Sequence, residues 1–316
     1  MIKAEELTKR YGDKLAVDGL SFTVQPGLVT GFLGPNGAGK STTMRMIVGL
    51  DAPTSGTVTV NGRPYAEHTR PLHEVGVLLE ARAIHTGRSA RNHLLAMAAT
   101  AGIDRRRVDD VIGMVGLGEV ADKRAGAFSL GMGQRLGLAS ALLGEPQTLI
   151  LDEPVNGLDP DGVRWIRTLL KGLADEGHTV FLSSHLMSEM ALTADHVILV
   201  GRGRLLRDQS MADFIADASS DVVRVRTPRA GELAGLLGGP EVSIRRAGDQ
   251  VLEVEGDSSE HIGTVAAEAG ITLFELATQT ASLEEAYMAL TEDSVDYRAT
   301  DDGGAHNSVT SERAAA

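Results

Sequence analysis

Short apolar runs of strand length recur through the first two thirds of the chain, separated by polar turns and by stretches of helical period. They predict strands at Ile2–Leu7, Ser21–Val24, Val29–Leu33, Thr57–Val60, Val75–Leu79, Thr148–Leu151, Thr179–Ser183, His196–Leu199 and Arg204–Leu206. Several are almost uninterrupted in their apolar character, as strands of a parallel sheet covered on both faces must be. Between Gly87 and Leu143 the period turns helical, clearest over Ser89–Ala101, Arg105–Val115 and Gln134–Leu143. This pattern predicts an α/β unit over residues 1–209 with a helical subdomain, about 80–143, inserted into it.

A second unit is expected over 219–291. It reads as strand Val222–Arg226, helix Gly231–Leu237, strands Val242–Arg245 and Val251–Val254, helix Glu260–Ala269 and strand Thr272–Ala277. The order βαββαβ suggests a small ferredoxin-like α+β domain, closed by a helix at Leu283–Thr291. Residues 292–316 are rich in Ser, Thr, Asp, Gly and Ala and are expected to be disordered.

A length of 316 residues suits about two domains. Aromatic residues make up only 3% while hydrophobic residues make up 42%, so the core must be mostly Leu, Val, Ile and Ala. The net charge of −13 argues against a nucleic-acid partner. The one tight basic cluster, Arg105-Arg106-Arg107, is flanked by Asp104, Asp109 and Asp110 and reads as a solvated helix face. With no cysteine there is no disulfide, thiol catalysis or thiolate metal site, which suits a reducing cytoplasm. The N-terminus enters a strand pattern directly, so no secretory signal is expected. No apolar run approaches the roughly 20 residues that span a bilayer.

The sharpest chemical signal is Gly34-Pro35-Asn36-Gly37-Ala38-Gly39-Lys40-Ser41, which fits the phosphate-loop pattern at every fixed position. Gly34, Gly37 and Gly39 let the backbone turn so that successive N–H groups point inward as a nest for phosphate oxygens. Lys40 adds a point charge for the β- and γ-phosphates, and the Ser41 hydroxyl suits Mg²⁺. The loop follows an apolar strand and precedes a helix beginning near Thr42, whose positive end faces the phosphates. ATP with Mg²⁺ is the ligand this arrangement fits. A second apolar strand, Leu149-Ile150-Leu151, ends in Asp152-Glu153. Asp152 would hold Mg²⁺, usually through water, and Glu153 would point at the attacking water.

Together, and with a helical insert between them, these two motifs resemble the ATP-binding subunit of ABC transporters. The resemblance covers Met1 to about Gln209 and organises the rest. Phe128-Ser129-Leu130-Gly131-Met132-Gly133-Gln134-Arg135 resembles the family's signature sequence, so Ser129 and Gly131 are the residues expected to meet the γ-phosphate held by an opposite subunit. Leu130 and Met132 depart from it, a variation that resembles the multidrug and antibiotic-export branch, including daunorubicin- and bacitracin-type exporters. Asn156-Gly157-Leu158-Asp159 resembles the dimer-contact loop, with Asp159 as its acid. His185, after the strand ending Ser183-Ser184, matches the switch histidine at the γ-phosphate. Tyr11 matches the aromatic that stacks on adenine. The glutamine expected after Val75–Leu79 is replaced by Glu80, which adds a charge near the γ-phosphate and is expected to help hold the metal. The same replacement occurs in subunits resembling lantibiotic immunity exporters. A surface ion pair with Arg82 is the other reading of Glu80.

The resemblance implies an ATPase at the cytoplasmic face of the membrane that powers export of a drug or antimicrobial peptide. It implies a head-to-tail pair of chains with two ATP molecules between them, and a separate multi-helix permease. A soluble ABC ATPase without a transport role, such as an assembly scaffold, is the alternative.

Overall fold

The computed structural model describes residues 1–80, 84–218, 221–239, 242–280 and 283–291. Strands β1 (Ile2–Tyr11) and β2 (Lys14–Val24) form an antiparallel hairpin. After β3 (Val29–Leu33) and α1 (Lys40–Ile47), β4 (Ser55–Val60) completes this three-stranded sheet on the far side of β1. The expected strand Ser21–Val24 is thus only the last part of a much longer β2, whose first half pairs with the exposed end of β1.

A short helix α2 (Pro71–Glu74) leads into β5 (Val75–Leu78). The inserted subdomain then runs through α3 (Ala90–Ala101), α4 (Arg105–Met114) and α5 (Leu130–Leu142). Each starts at a side chain that accepts a backbone N–H: Ser89 from Asn92, Asp104 from Arg106, and Ser129 from Met132. The Ser129 cap explains why α5 begins at Leu130, four residues before the apolar period becomes evident. Arg107 departs from the expected solvated face. Its guanidinium donates to the Leu142 carbonyl at 2.9 Å, satisfying the end of α5, and lies 3.4 Å from Glu145.

The chain returns through β6 (Thr148–Leu151), α6 (Pro160–Asp175), β7 (Thr179–Ser184), α7 (Met187–Thr193), β8 (His196–Gly201), β9 (Arg204–Ser210) and α8 (Met211–Ala218). The main sheet has the order β5-β6-β7-β3-β8-β9, parallel except for the β8–β9 edge pair. β3, β6 and β7 are buried along their whole length, which is why they read as apolar runs without alternation. Between the two sheets, the rings of Phe22, Phe32 and Phe181, half of the six phenylalanines of the sequence, pack 5.1–5.9 Å apart. A second core lies on the other side of the main sheet and runs into the helical subdomain, built from Leu, Val, Ile and Ala.

The C-terminal unit comprises β10 (Asp221–Arg226), α9 (Ala230–Leu236), β11 (Ser243–Gly248), β12 (Val251–Glu255), α10 (Ser259–Glu268) and β13 (Glu275–Thr280). The order β11-β12-β10-β13, antiparallel throughout, is that of a ferredoxin-like plait. Its last strand starts later than expected. The Thr272 carbonyl is taken by the Thr227 hydroxyl and the Phe274 N–H by the Arg226 carbonyl, so the ladder with β10 begins at Glu275.

The closing helix α11 (Leu283–Thr291) also departs from the expected grouping. It packs on α7 and α8 of the first unit, where Leu283, Tyr287 and Leu290 lie against the larger core. The plait already buries its own apolar face under α9 and α10, in a separate cluster that includes Leu233 and Ile262. Residues 292–316, expected to be disordered, and Arg82 lie outside the described residues. Among the described residues no helix is long and apolar enough to cross a membrane.

Candidate nucleotide site

The carboxyl ends of β3, β6 and β7 converge on one edge of the main sheet, where open α/β sheets bind ligands. The loop from Gly34 to Ser41 leaves β3 there and rims a cavity of about 390 Å³, also lined by Tyr11, Lys14, Ala16, Asp152 and Glu153. The loop's curvature requires glycine at position 39. Gly39 has φ of 100°, and a Cβ there would meet the Ala16 carbonyl oxygen at 2.6 Å. Ala38 is buried beneath the loop, while Pro35, Asn36, Gly37 and Thr42 line the cavity.

Lys40 is only 7% exposed. Its ammonium donates back to the Gly34 and Pro35 carbonyls, at 2.6 and 3.3 Å. Burial pushes its pKa below the ordinary lysine value, while the charges of Glu153 and Asp152 work against that shift. The Ser41 hydroxyl donates to Asp152 Oδ2 at 2.7 Å. A hydroxyl and a carboxylate oxygen so placed are the hard donors that Mg²⁺ takes. Among the described residues no cluster of three His, Asp or Glu side chains could hold a metal by itself. An ion at Ser41 and Asp152 would therefore need phosphate and water oxygens to complete its shell, as an Mg²⁺–nucleotide site does.

Glu153 follows directly, in a left-handed backbone conformation with φ of 49° that turns it away from the strand direction. Its carboxylate accepts from His185 Nδ1 at 2.9 and 3.0 Å. An ionised carboxylate can only accept, so Nδ1 carries the proton. The backbone of Glu153 is held on both sides. Its N–H donates to the Ser183 hydroxyl at 2.9 Å, and its carbonyl accepts from the Gln134 amide at 3.1 Å. Ser183 in turn donates to Asp152 Oδ1.

Ser183 and Gln134 were not singled out from the sequence. Ser183 could have been suspected, as a polar residue ending an apolar buried strand. Gln134 stood within the signature-like stretch, but nothing local tied it to the backbone of Glu153. α11 adds Tyr287 to the surroundings: burial pushes its phenol up to about 12, and the charge of Glu153 contributes to that rise.

The other expected residues lie elsewhere. Glu80 is exposed and lines a neighbouring cavity of about 480 Å³ that shares Ser41 and Asp152 with the first. Ser129 does not line the nucleotide cavity of its own chain. It lines a separate recess with Ile84 and Thr86. Gly131 is pressed against the loop before α6, where a Cβ would lie 2.7 Å from the Gly157 carbonyl oxygen. Leu130, which departs from the signature pattern, lies over Gly157. Asp159 caps α6 by accepting the Gly162 N–H at 2.9 Å and lies 4.0 Å from Arg135.

A family model described as ABC transporter matches residues 17–156, and a model described as Domain of unknown function (DUF8746) matches residues 221–284. The Bacitracin transport ATP-binding protein BcrA of Bacillus licheniformis is 44% identical over 211 residues, covering 66% of this chain and 69% of that protein. The uncharacterized ABC transporter ATP-binding protein YhcH of Bacillus subtilis is 35% identical over 294 residues, covering 92% of this chain and 96% of that protein. A solved structure of an ATP binding subunit of an ABC transporter superposes with a TM-score of 0.63 at 25% identity, over 69% of this chain and 92% of that one. The phosphate loop at the end of β3, the paired acids after β6 and the similarity running nearly the whole length of such a relative make this chain a member of the ABC transporter family, as an ATP-binding subunit.

Proposed function

We propose that this subunit hydrolyses Mg²⁺-ATP to power export of a drug or antimicrobial peptide through a separate membrane permease. The observation that carries the pairing of chains is the separation within one chain of Ser129 and Gly131 from the cavity at Lys40. A second copy turned head to tail would bring its Ser129 and Gly131 to that cavity, and two sites would form across a two-fold axis.

In each site the loop N–H groups and Lys40 bind the phosphates, with Lys40 exchanging the Gly34 carbonyl for phosphate oxygens. Ser41 and Asp152, with Glu80 beside them, would hold Mg²⁺, which when bound offsets phosphate charge. Glu153 orients water and takes its proton, while His185 holds the carboxylate in place. Asp159 steadies the start of α6 at the dimer contact. The helical subdomain passes the resulting motion to the permease, which places the subunit at the cytoplasmic face of the membrane. The choice of cargo class rests on similarity to a protein of bacitracin transport. A non-transport scaffold role has no such support.

The test is co-purification from membranes with a multi-helix protein, together with resistance of cells carrying both. A Glu153→Gln subunit should still co-purify and confer no resistance. Resistance unchanged by Glu153→Gln, or a subunit that never partitions with membranes, would reject the reading.

A further inference from the structure

Tyr11 ends β1 at the rim of the nucleotide cavity, 46% exposed, yet its ring is tied in place. The hydroxyl donates to Asp51 Oδ2 at 2.8 Å. The same oxygen accepts from Arg45 Nε at 2.8 Å, and Oδ1 accepts from Arg45 Nη2 at 3.3 Å. Arg45 lies on α1, the helix that opens at Lys40, and the Asp51 N–H donates to the Arg45 carbonyl at 3.3 Å. Asp51 is therefore clamped to α1 through both its side chain and its backbone. Lys9 holds the other side of the ring. Its ammonium lies 4.9 Å from the ring centroid while donating to the Ala52 carbonyl at 2.6 Å. Tyr11 lines the cavity, whereas Lys9 does not.

The protonation states agree with this tether. Hydrogen bonding to Arg45, and then to Tyr11, holds Asp51 below the usual carboxylate range. Burial, and then the bond to Asp51, pushes the Tyr11 phenol up. At neutral pH the set is thus a neutral hydroxyl donor, a carboxylate and a guanidinium.

We propose that Asp51 is a positioning residue that ties the Tyr11 ring to the phosphate-loop helix and so sets the spacing between base platform and phosphate nest. This rests on the reading that Tyr11 stacks on the base of ATP. The two ends of the site belong to different layers: Tyr11 to the antiparallel sheet, Lys40 to the helix after the central strand of the other. Without this tether only Lys9 would hold the ring, and the ligand would have to complete its immobilisation at a cost in affinity.

The experiment titrates the full chain, with Mg²⁺ present, against ATP and separately against inorganic tripolyphosphate, which has no base. Tyr11→Phe keeps the ring and drops the hydroxyl. Asp51→Ala removes the anchor. Both are expected to weaken ATP roughly two- to tenfold, the range for immobilising one side chain, and to leave tripolyphosphate unchanged. The double variant should lose no more than either alone, and Asp51→Asn, which can still accept from the hydroxyl, should recover part of the loss. If Tyr11→Ala weakens ATP while Tyr11→Phe and Asp51→Ala bind it like wild type, the tether is overturned and stacking stands. If Tyr11→Ala also binds ATP like wild type, the stacking reading itself fails. Equal losses of ATP and tripolyphosphate in Asp51→Ala would mean that Asp51 acts only by supporting α1, which also overturns the proposal.

Discussion

His185 Nδ1 lies 2.9 Å from Glu153 Oε2 and 3.0 Å from Oε1, joining residues at the ends of the adjacent parallel strands β6 and β7. Glu153 lines the cavity from a backbone already turned out of the strand, and His185 holds its carboxylate. Glu153→Gln keeps this shape but removes the proton acceptor. It should bind ATP like wild type and hydrolyse it about 10²–10⁴-fold more slowly, trapping a closed pair visible by sizing chromatography. Hydrolysis at the wild-type rate would remove Glu153 from its role.

Lys40→Ala should lower affinity for Mg²⁺-ATP about ten- to a hundredfold, as loss of a charge-assisted contact of roughly 1.5–3 kcal/mol implies. The wild-type protein should also show a pH effect. Burial lowers the Lys40 pKa, so the ammonium is lost as pH rises through a value below the ordinary lysine range. ATP affinity should therefore fall on the alkaline side at a lower pH than an ordinary lysine would give. Calorimetric titrations over that range check this, and a flat affinity would contradict it.

Glu80 shares a cavity with Ser41 and Asp152. Glu80→Gln retains one oxygen for metal or water, whereas Glu80→Ala offers nothing. Transport should therefore fall in the order wild type, Gln, Ala, with a smaller spread in ATP binding. Export in cells, measured beside ATPase activity of the assembled complex, tests the order. Equal transport by wild type and Glu80→Ala would leave Glu80 as a surface residue only.

Gly131→Ala should destabilise the start of α5, because the added methyl meets the Gly157 carbonyl oxygen at 2.7 Å. Overpacking of this kind costs about 1–3 kcal/mol, or roughly 2–12 °C in Tm. A thermal melt reads it directly. An unchanged Tm would mean that the start of α5 and the loop at Gly157 separate freely.

A chain ending at Thr280 loses α11 and uncovers the core beneath Leu283, Tyr287 and Leu290. It should melt several degrees lower, for a loss of about 2–5 kcal/mol of apolar burial. A chain ending at Thr291 should melt like the full one. Equal melting of the two truncations would show that α11 contributes no stability.

The phosphate loop, the paired acids after β6 and the buried strands were legible because each is written in consecutive residues. Gly37 and Gly39, with φ of 85° and 100°, answer a local backbone demand, and a strand buried on both faces must be apolar throughout. Other features depend on residues distant in sequence. Nothing near Arg107 announces that it closes the end of α5, and nothing near Asp51 announces that it holds Tyr11. Ser183 and Gln134 secure the backbone of Glu153 only because β7 and α5 arrive beside β6. The helix at Leu283–Thr291 was visible as a helix, but its seat was not. An apolar helical face specifies only that it must be covered; the plait's apolar face is already taken by α9 and α10, and tertiary packing makes α7 and α8 the cover.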